Sequence, residues 1–279
     1  MAIITISRGS YSRGKKVAEA LAAKLDYKCV SRDILLETCA EFSIPEIHMV
    51  KALHDAPSIL DRFNNGKERY ISCFRAAFLN HMLSDNIVYH GLAGHFFLQD
   101  CRHTCKVRII ANLEDRIKEE MKRENCSAEE ARYQLKKDDE ERRKWSQHLY
   151  GKDTLNSSLY DLIFHIDTLT VEDVVDILEN VVRSGKFDAT PESTAALRDS
   201  ALLANIHAQI VKISPRATLE MEDNIVTLGN LEGSLKNDKN FRQRTAQRLM
   251  EDFGLKDVIF TTPVSARKDH VNTFYNLDY

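Results

Sequence analysis

The sequence lacks the features that mark several large classes of protein. No apolar run approaches the roughly 18 residues that span a membrane, and Met1 leads into a strand-like segment without the charged and then apolar layout of a signal peptide. The net charge of −3 supplies neither a basic field for nucleic acid nor an acidic tail. We therefore expect a cytoplasmic protein with no membrane span and no nucleic-acid partner.

Paired cysteines are also missing. The six cysteines all lie in the first half of the chain, and none belongs to a CxxC pair. Cys101 and Cys105, with His103 between them, suggest a metal site, but no second ligand pair follows. Reduced thiols without metal are the better interpretation, and they fit a cytoplasmic location.

The most informative segment is residues 3–27, in which a strand, a glycine turn and an amphipathic helix follow one another. The run Ile3-Ile-Thr-Ile6 is typical of a buried parallel strand. Gly9, Gly14 and Lys15 have the G-x4-G-K spacing of a P-loop. Backbone N–H groups and the positive end of the helix would point at one place, so the segment predicts phosphate binding.

The last element of the P-loop motif is absent. The motif continues with Ser or Thr, whose hydroxyl holds Mg²⁺, whereas this chain has Lys16, which cannot bind a cation. The alternative interpretation is a strand-to-helix turn that uses glycine for tightness and basic residues for solvation. Position, flanking residues and spacing together favour phosphate binding.

Strand-like and helical segments alternate through the first two thirds of the chain. Short β-rich runs follow the first strand, at 27–30, 86–91, 106–111 and 162–166. This alternation predicts an α/β domain over residues 1–185, with a parallel sheet flanked by helices.

Residues 113–144 differ from their surroundings because 21 of these 32 residues are charged. A solvated helical hairpin with many ion pairs is the usual meaning of such a run. A mobile lid that closes its arginines over phosphates is the alternative. Ser127 and Glu130 predict a capping box at the start of one helix of this region.

A second change of composition, at 184–193, predicts a linker. Beyond it the pattern is helix, strand, strand, helix, strand, with the strands at 216–221, 224–228 and 257–264. We expect residues 190–279 to form a small α+β domain that folds independently.

Residues 1–185 resemble the cytidylate-kinase-like proteins, a branch of the P-loop nucleoside monophosphate kinases. Four segments carry the resemblance, in this order: Ile4-Thr-Ile-Ser-Arg8, Ser31-Arg-Asp-Ile-Leu35, Lys136 to Arg143 with Tyr150-Gly-Lys-Asp153, and Tyr160 to Asp167. The resemblance implies a P-loop kinase-type sheet with a helical lid. It also implies transfer of the γ-phosphoryl group of ATP, with Mg²⁺, to a pyrimidine monophosphate such as CMP.

The resemblance assigns roles to particular residues. Asp33 would organise the acceptor or the metal, and Asp139 would orient an arginine on the substrate side. Arg142 and Arg143 would act from the lid, because planar guanidinium groups bind phosphate oxygens through paired hydrogen bonds. The catalytic set would thus be Lys15, Asp33, Arg142 and Arg143. The donor phosphates would be surrounded by Gly9, Ser10, Ser12, Arg13, Gly14, Lys15 and Lys16.

Three further positions depart from the family pattern. Tyr11 and Arg13 put side chains where relatives have glycine, and Leu92 stands where relatives have a phosphate-binding arginine after Gly91. Arg75 or Arg102 is a candidate replacement, and we assign Arg75 to substrate binding. These departures favour a nucleotide sensor without turnover, whereas Lys15 and the lid arginines favour a kinase.

The C-terminal 85 residues resemble the BON module, a small domain of envelope and phospholipid-binding proteins. The strand Ile225-Val-Thr-Leu-Gly229, set between a polar helix and a further helix and strand, carries the resemblance. Residues 190–279 contain 11 basic and 12 acidic side chains, which give no net attraction to an anionic bilayer. The resemblance implies a regulatory or interaction domain with a protein or lipid partner.

Overall fold

A computed structural model describes residues 2–9, 13–32, 65–91 and 93–261. Its larger sheet has the strand order β2-β3-β1-β4-β5, and all neighbouring pairs are parallel. The carboxyl ends of the strands therefore share one edge, which we call the carboxyl edge. The strands are β1 (Ile3–Arg8), β2 (Lys28–Ser31), β3 (Ile87–His90), β4 (Thr104–Ala111) and β5 (Leu162–Ile166).

Helices cover both faces of this sheet. On one face lie α1 (Gly14–Leu25) and α6 (Val171–Arg183). The other face carries α2 (Gly66–Met82), α3 (Gly94–Phe97) and the end of α5 (Ala128–Tyr150). Between β4 and β5, α4 (Leu113–Glu124) and α5 form a helical hairpin.

Side-chain alternation along β1 explains why the sheet has two apolar cores. Ile4 and Ile6 pack with α1 and α6, whereas Ile3 packs with α2 and α3. Successive side chains of a strand point to opposite faces of the sheet, so a strand that is buried on both faces contributes to both cores. The predicted α/β architecture with a parallel sheet flanked by helices is confirmed.

A second, three-stranded sheet follows, with the order β6-β7-β8. The strands β6 (Thr218–Glu222) and β7 (Ile225–Gly229) form an antiparallel hairpin, and β8 (Asp257–Phe260) pairs parallel to β7. Asp223 and Asn224 make the hairpin turn with φ of 50° and 64°, a left-handed conformation that Asp and Asn tolerate. The helices of this region are α7 (Pro191–Ile210), α8 (Gly233–Asn237) and α9 (Lys239–Phe253). A separate small region of helices and strands is confirmed.

Helix α7 belongs to two cores. Its residues Leu197, Ala201, Ala204 and Ala208 pack in the core that contains α2, whereas Ile206 and Ile210 pack against the small sheet. The boundary between residues 185 and 190 stays a prediction, but the first helix after it packs closely against the larger region.

In the described ranges, no helix is long and apolar enough to cross a membrane.

Candidate nucleotide site

The phosphate loop joins β1 to α1 at the carboxyl edge. The N–H of Gly9 donates to the carbonyl of Ile109 at 3.4 Å, which ties the end of β1 to β4. Residues 10–12 lie outside the described ranges, so Ser10 and Ser12 stay predictions. Arg13 precedes the helix in the left-handed conformation, with φ of 62°. Such a backbone costs a non-glycine residue about 1–2 kcal/mol, and strain of this kind concentrates at functional sites.

Gly14 is needed because α1 begins very close to the end of β1. A Cβ atom at position 14 would lie 2.7 Å from the Cβ of Arg8. The sequence motif has glycine at this position, and the close approach of α1 to Arg8 gives the steric reason.

We expect Gly14→Ala to lower the thermal unfolding midpoint and to weaken ATP binding. The added methyl group must push α1 away from β1, and overpacking of this kind costs about 1–3 kcal/mol. Calorimetric unfolding and ATP titration measure the two effects. Gly254→Ala is the control, because nothing lies within 4 Å of its added Cβ and its φ of +65° tests backbone strain alone. An unchanged unfolding midpoint in Gly14→Ala would refute the conclusion that α1 lies too close to β1 for a side chain at position 14.

Three cations lie at the start of α1, and their carboxylate contacts among the described residues are long. Lys15 Nζ lies 3.6 Å from a carboxylate oxygen of Glu19. Arg13 Nη2 lies 3.5 Å from Glu119 Oε1, and Lys16 Nζ lies 4.0 Å from Glu119 Oε2. Glu119 belongs to α4, so a carboxylate of the predicted lid faces two cations beside the predicted phosphate loop.

Arg32 follows β2 directly at the carboxyl edge. Its guanidinium carbon lies 5.5 Å from the ring centroid of Trp145, and its Nη2 lies 3.4 Å from the hydroxyl of Tyr70. Tyr70 and Trp145 stack with centroids 5.7 Å apart. No carboxylate of the described residues pairs with Arg32, whose guanidinium faces the aromatic rings of Tyr70 and Trp145.

Arg142 lies on the same helix as Trp145. It lies three residues before Trp145 on α5 and therefore on the same side of the helix. The Nε atom of Arg142 and the Nε1 atom of Trp145 are both buried without a hydrogen-bond partner among the described residues. A buried donor left unpaired is costly, and a bound anion would relieve that cost.

The other lid residues are held by partners within the lid. Arg143 binds Asp153 through Nε and Nη2, at 3.0 Å and 2.5 Å from Oδ2, and this pairing lowers the pKa of Asp153. Asp139 accepts a hydrogen bond from Arg116 Nη2 at 2.7 Å. The charged segment is thus a helical hairpin with ion pairs. Of the two lid arginines named from the sequence, Arg142 alone has no carboxylate partner among the described residues.

Hydrogen bonds of Tyr160 connect the segment after the predicted lid to β1. The hydroxyl of Tyr160 donates to the carbonyl of Thr154 at 2.9 Å and lies 3.3 Å from Ser7 Oγ. Arg108 Nη1 donates to the same hydroxyl at 3.1 Å. These hydrogen bonds connect the segment after the predicted lid to β1, at the residue before Arg8.

His95 packs beside Tyr160. Its ring centroid lies 4.9 Å from that of Tyr160, and burial lowers the pKa of His95 to about 3. The imidazole is therefore neutral at physiological pH, which agrees with a structural role.

The two candidate replacement arginines, Arg75 and Arg102, have other surroundings. Arg75 lies near His207 of α7, where its charge contributes to the low pKa of that histidine, and burial lowers the pKa of Arg75 itself. Arg102 is exposed in the turn before β4, at the end of the sheet opposite the phosphate loop. Asp33 and Leu92 lie outside the described residues.

The described side chains at the phosphate loop do not fit Mg²⁺. This ion takes oxygen ligands in octahedral geometry, and position 16 offers an ammonium group. The nearby carboxylate of Glu119 already faces Arg13 and Lys16. Among the described residues there is also no group of three or more His, Cys, Asp or Glu that could hold a metal ion.

A comparison with family models assigns the larger region. Residues 3–168 match the model of the cytidylate kinase-like family, which is more than half of the chain. The chain belongs to the cytidylate kinase-like family. The match spans the whole parallel sheet, the phosphate loop and the hairpin of α4 and α5, and it ends before α7. The BON resemblance of residues 190–279 therefore stays a prediction.

Several individual proteins are similar to this chain. The chain is 26% identical over 179 residues to a cytidylate kinase of Sulfolobus acidocaldarius, a match that covers 64% of this chain and 93% of that protein. A crystal structure of an uncharacterized protein from Eubacterium ventriosum superposes with a TM-score of 0.52 at 20% identity, covering 66% of this chain and 99% of the other, which shows the fold. A shikimate kinase from Bacteroides thetaiotaomicron gives a TM-score of 0.41 at 12% identity, with 65% and 98% covered.

Membership in this family makes the chain a kinase-type protein with a nucleotide ligand. Such a family implies the use of ATP and Mg²⁺ in general. The match does not extend to the acceptor nucleotide or to the roles of single residues.

Proposed function

We propose that the chain transfers the γ-phosphoryl group of ATP to a pyrimidine nucleoside monophosphate such as CMP. The observation that carries the proposal is the placement of Arg32 over the ring of Trp145, with Arg142 one helical turn before that tryptophan and neither arginine paired with a carboxylate of the described residues. A nucleoside monophosphate combines a phosphate dianion with an aromatic base. Guanidinium groups would bind the phosphate, and the neighbouring aromatic rings would stack on the base.

The donor would bind at the phosphate loop, where Lys15 and the N-terminus of α1 face its phosphates. An oxygen of the acceptor phosphate attacks the γ-phosphorus, the bond to the β,γ-bridging oxygen breaks, and ADP leaves. This transfer needs positioning and charge neutralisation, not a covalent enzyme intermediate. The lid would bring Arg142 to the transferred group.

The alternative is a nucleotide-binding sensor that does not turn over, with the C-terminal region as its output. Lys16 in place of Ser or Thr and Leu92 in place of arginine favour this alternative. It predicts ATP binding without ADP formation, so one assay separates the two functions.

The test is ADP production with ATP, Mg²⁺ and each nucleoside monophosphate in turn. We expect CMP to be the best acceptor. Arg32→Ala should raise the KM for CMP by roughly 10- to 100-fold, the range for a hydrogen bond to a charged group. Arg183→Ala is the control, because Arg183 lies on α6 and pairs with Glu179 at 2.8 Å. ATP binding without ADP formation from any acceptor would favour the sensor, and the absence of ATP binding would refute both functions.

A further inference from the structure

We propose that Tyr160 is a positioning residue for the phosphoryl transfer, because its hydroxyl holds the segment that follows α5 against the end of β1. The inference rests on the proposed function, since it concerns the geometry of that reaction. It gives a role to the start of the segment from Tyr160 to Asp167, which carries part of the family resemblance and has no part in the proposed binding of donor or acceptor.

The hydroxyl of Tyr160 joins three segments of the chain. It donates to the carbonyl of Thr154 at 2.9 Å and accepts from Arg108 Nη1 at 3.1 Å. Ser7 Oγ lies 3.3 Å away, and because the single phenolic proton goes to Thr154, the serine hydroxyl is the donor of this bond. One oxygen atom thus makes one hydrogen bond as donor and two as acceptor, which uses its full capacity.

Arg108 keeps the tyrosine ring in place. It lies on β4 directly beside Ser7 of β1, and its guanidinium carbon is 5.5 Å from the ring centroid of Tyr160. The same Nη1 atom that donates to the hydroxyl also donates to the carbonyl of Thr154. From α3, His95 packs on the ring with 4.9 Å between the centroids. A ring that contacts a cation and an imidazole, and whose hydroxyl is fully hydrogen-bonded, has little freedom to turn.

One end of this junction leads to the donor side of the candidate site. Ser7 is the residue before Arg8, with which β1 ends. The N–H of Gly9 then donates to a carbonyl of β4, and Lys15 follows in the first turn of α1. A shift of Ser7 would therefore be passed to the strand end that precedes the group expected to face the phosphates of the donor.

The other end leads to the predicted lid. Ser146 Oγ, near the end of α5, donates to the carbonyl of Lys152 at 2.7 Å. Asp153, the next residue, binds Arg143 of the same helix. The segment that Tyr160 holds is thus bonded to α5, the helix that carries both lid arginines.

The proposed reaction is sensitive to placement of this kind. Phosphoryl transfer depends on positioning and charge neutralisation, and a displacement of about 1 Å can lower a rate by about 10²-fold. Loss of the Tyr160 hydroxyl would loosen the distance between Lys15 and Arg142 without removing either group. We therefore expect the loss to appear in kcat, while ATP and CMP still meet the same side chains and keep their KM values.

The test is the steady-state kinetics of Tyr160→Phe with ATP, Mg²⁺ and CMP. The variant keeps the ring, and Arg108 still bonds the carbonyl of Thr154 directly, so the segment keeps one of its ties. We expect kcat to fall by about tenfold, with both KM values within about twofold of the wild type. The control is Tyr133→Phe on α5, which removes the same hydroxyl from a residue that is 70% exposed and should leave kcat unchanged.

A second variant separates positioning through this hydroxyl from a general loss of packing. Ser7→Ala removes one of the three hydrogen bonds and should lower kcat by about threefold. In the Tyr160→Phe background it should have no further effect, because the bond is already absent there. Losses that multiply in the double variant would mean that the two residues act by separate routes, and they would overturn the inference.

The remaining outcomes are also decisive. A kcat of Tyr160→Phe within about twofold of the wild type, or a loss confined to the KM values or to the unfolding midpoint, would overturn this inference and leave the proposed function standing. A wild-type chain that forms no ADP with any acceptor would overturn both. If Tyr160→Phe does not fold by circular dichroism, Ser7→Ala decides alone, and an unchanged kcat in that variant overturns the inference.

Discussion

Arg142→Ala is expected to lower kcat for phosphoryl transfer by about 10³-fold, a loss typical of an arginine that stabilises the transferred group. The reason is that Arg142 has a buried Nε without a hydrogen-bond partner among the described residues, and a phosphate oxygen would supply that partner. Arg143 is its natural comparison, since the two are adjacent and only Arg143 is bound to Asp153. Arg143→Ala should stay within about tenfold of the wild type and should instead lower the thermal midpoint.

Steady-state kinetics with saturating ATP and CMP distinguish the two arginines. Equal losses in both variants would mean that Arg143 leaves Asp153 in the working state, and the free arginine of the lid would then have been misidentified. Asp153→Asn is a second test of the same pair. It should release Arg143 and lower the thermal midpoint more than it lowers kcat.

A chain that ends at residue 189 is expected to fold poorly, whereas one that ends at residue 212 should keep the larger region intact. The shorter chain loses Leu197, Ala201, Ala204 and Ala208, which are between 0% and 5% exposed in the core shared with α2. Removal of one buried leucine side chain alone costs about 2–5 kcal/mol, a large part of the stability of an ordinary domain.

The measurement is thermal unfolding of the two truncated chains beside the full chain. Leu197→Ala in the full chain tests the same contact without a new terminus and should lower the unfolding free energy by about 2–4 kcal/mol. A chain of residues 1–189 that unfolds at the wild-type temperature and binds ATP would instead support a boundary near residue 190.

The fold could be inferred largely from local patterns. The run at 162–166 predicted β5 at the residues it occupies, because β-branched and aromatic residues there are bounded by polar turns. Ser127 and Glu130 predicted a capping box, and both of its hydrogen bonds are present. The double role of α7 was not predictable in this way. Small residues at Ala201, Ala204 and Ala208 suit any close helix contact, and their partner helix ends more than 100 residues earlier.

The site differs from the fold because the roles of its residues stay predictions. The spacing of Gly14 and Lys15 is local in sequence, and it therefore indicates a candidate phosphate loop without knowledge of the fold. Arg32 was not proposed from the sequence, although its position directly after a strand at the carboxyl edge is a usable signal. Trp145 is buried and stacks with Tyr70. Its contact with Arg32 joins residues more than 100 positions apart, and periodicity carries no information on such a pairing.

The position of α7 has a consequence for how the protein is made. During synthesis the domain that matches the kinase family has emerged by about residue 168, yet its core lacks Ala204 and Ala208 until some 40 residues more have left the ribosome. The apolar side of α2 stays uncovered in that interval, and exposed surface of this kind promotes aggregation of incomplete chains. The C-terminal region would thus first act as the piece that completes the nascent kinase-like domain.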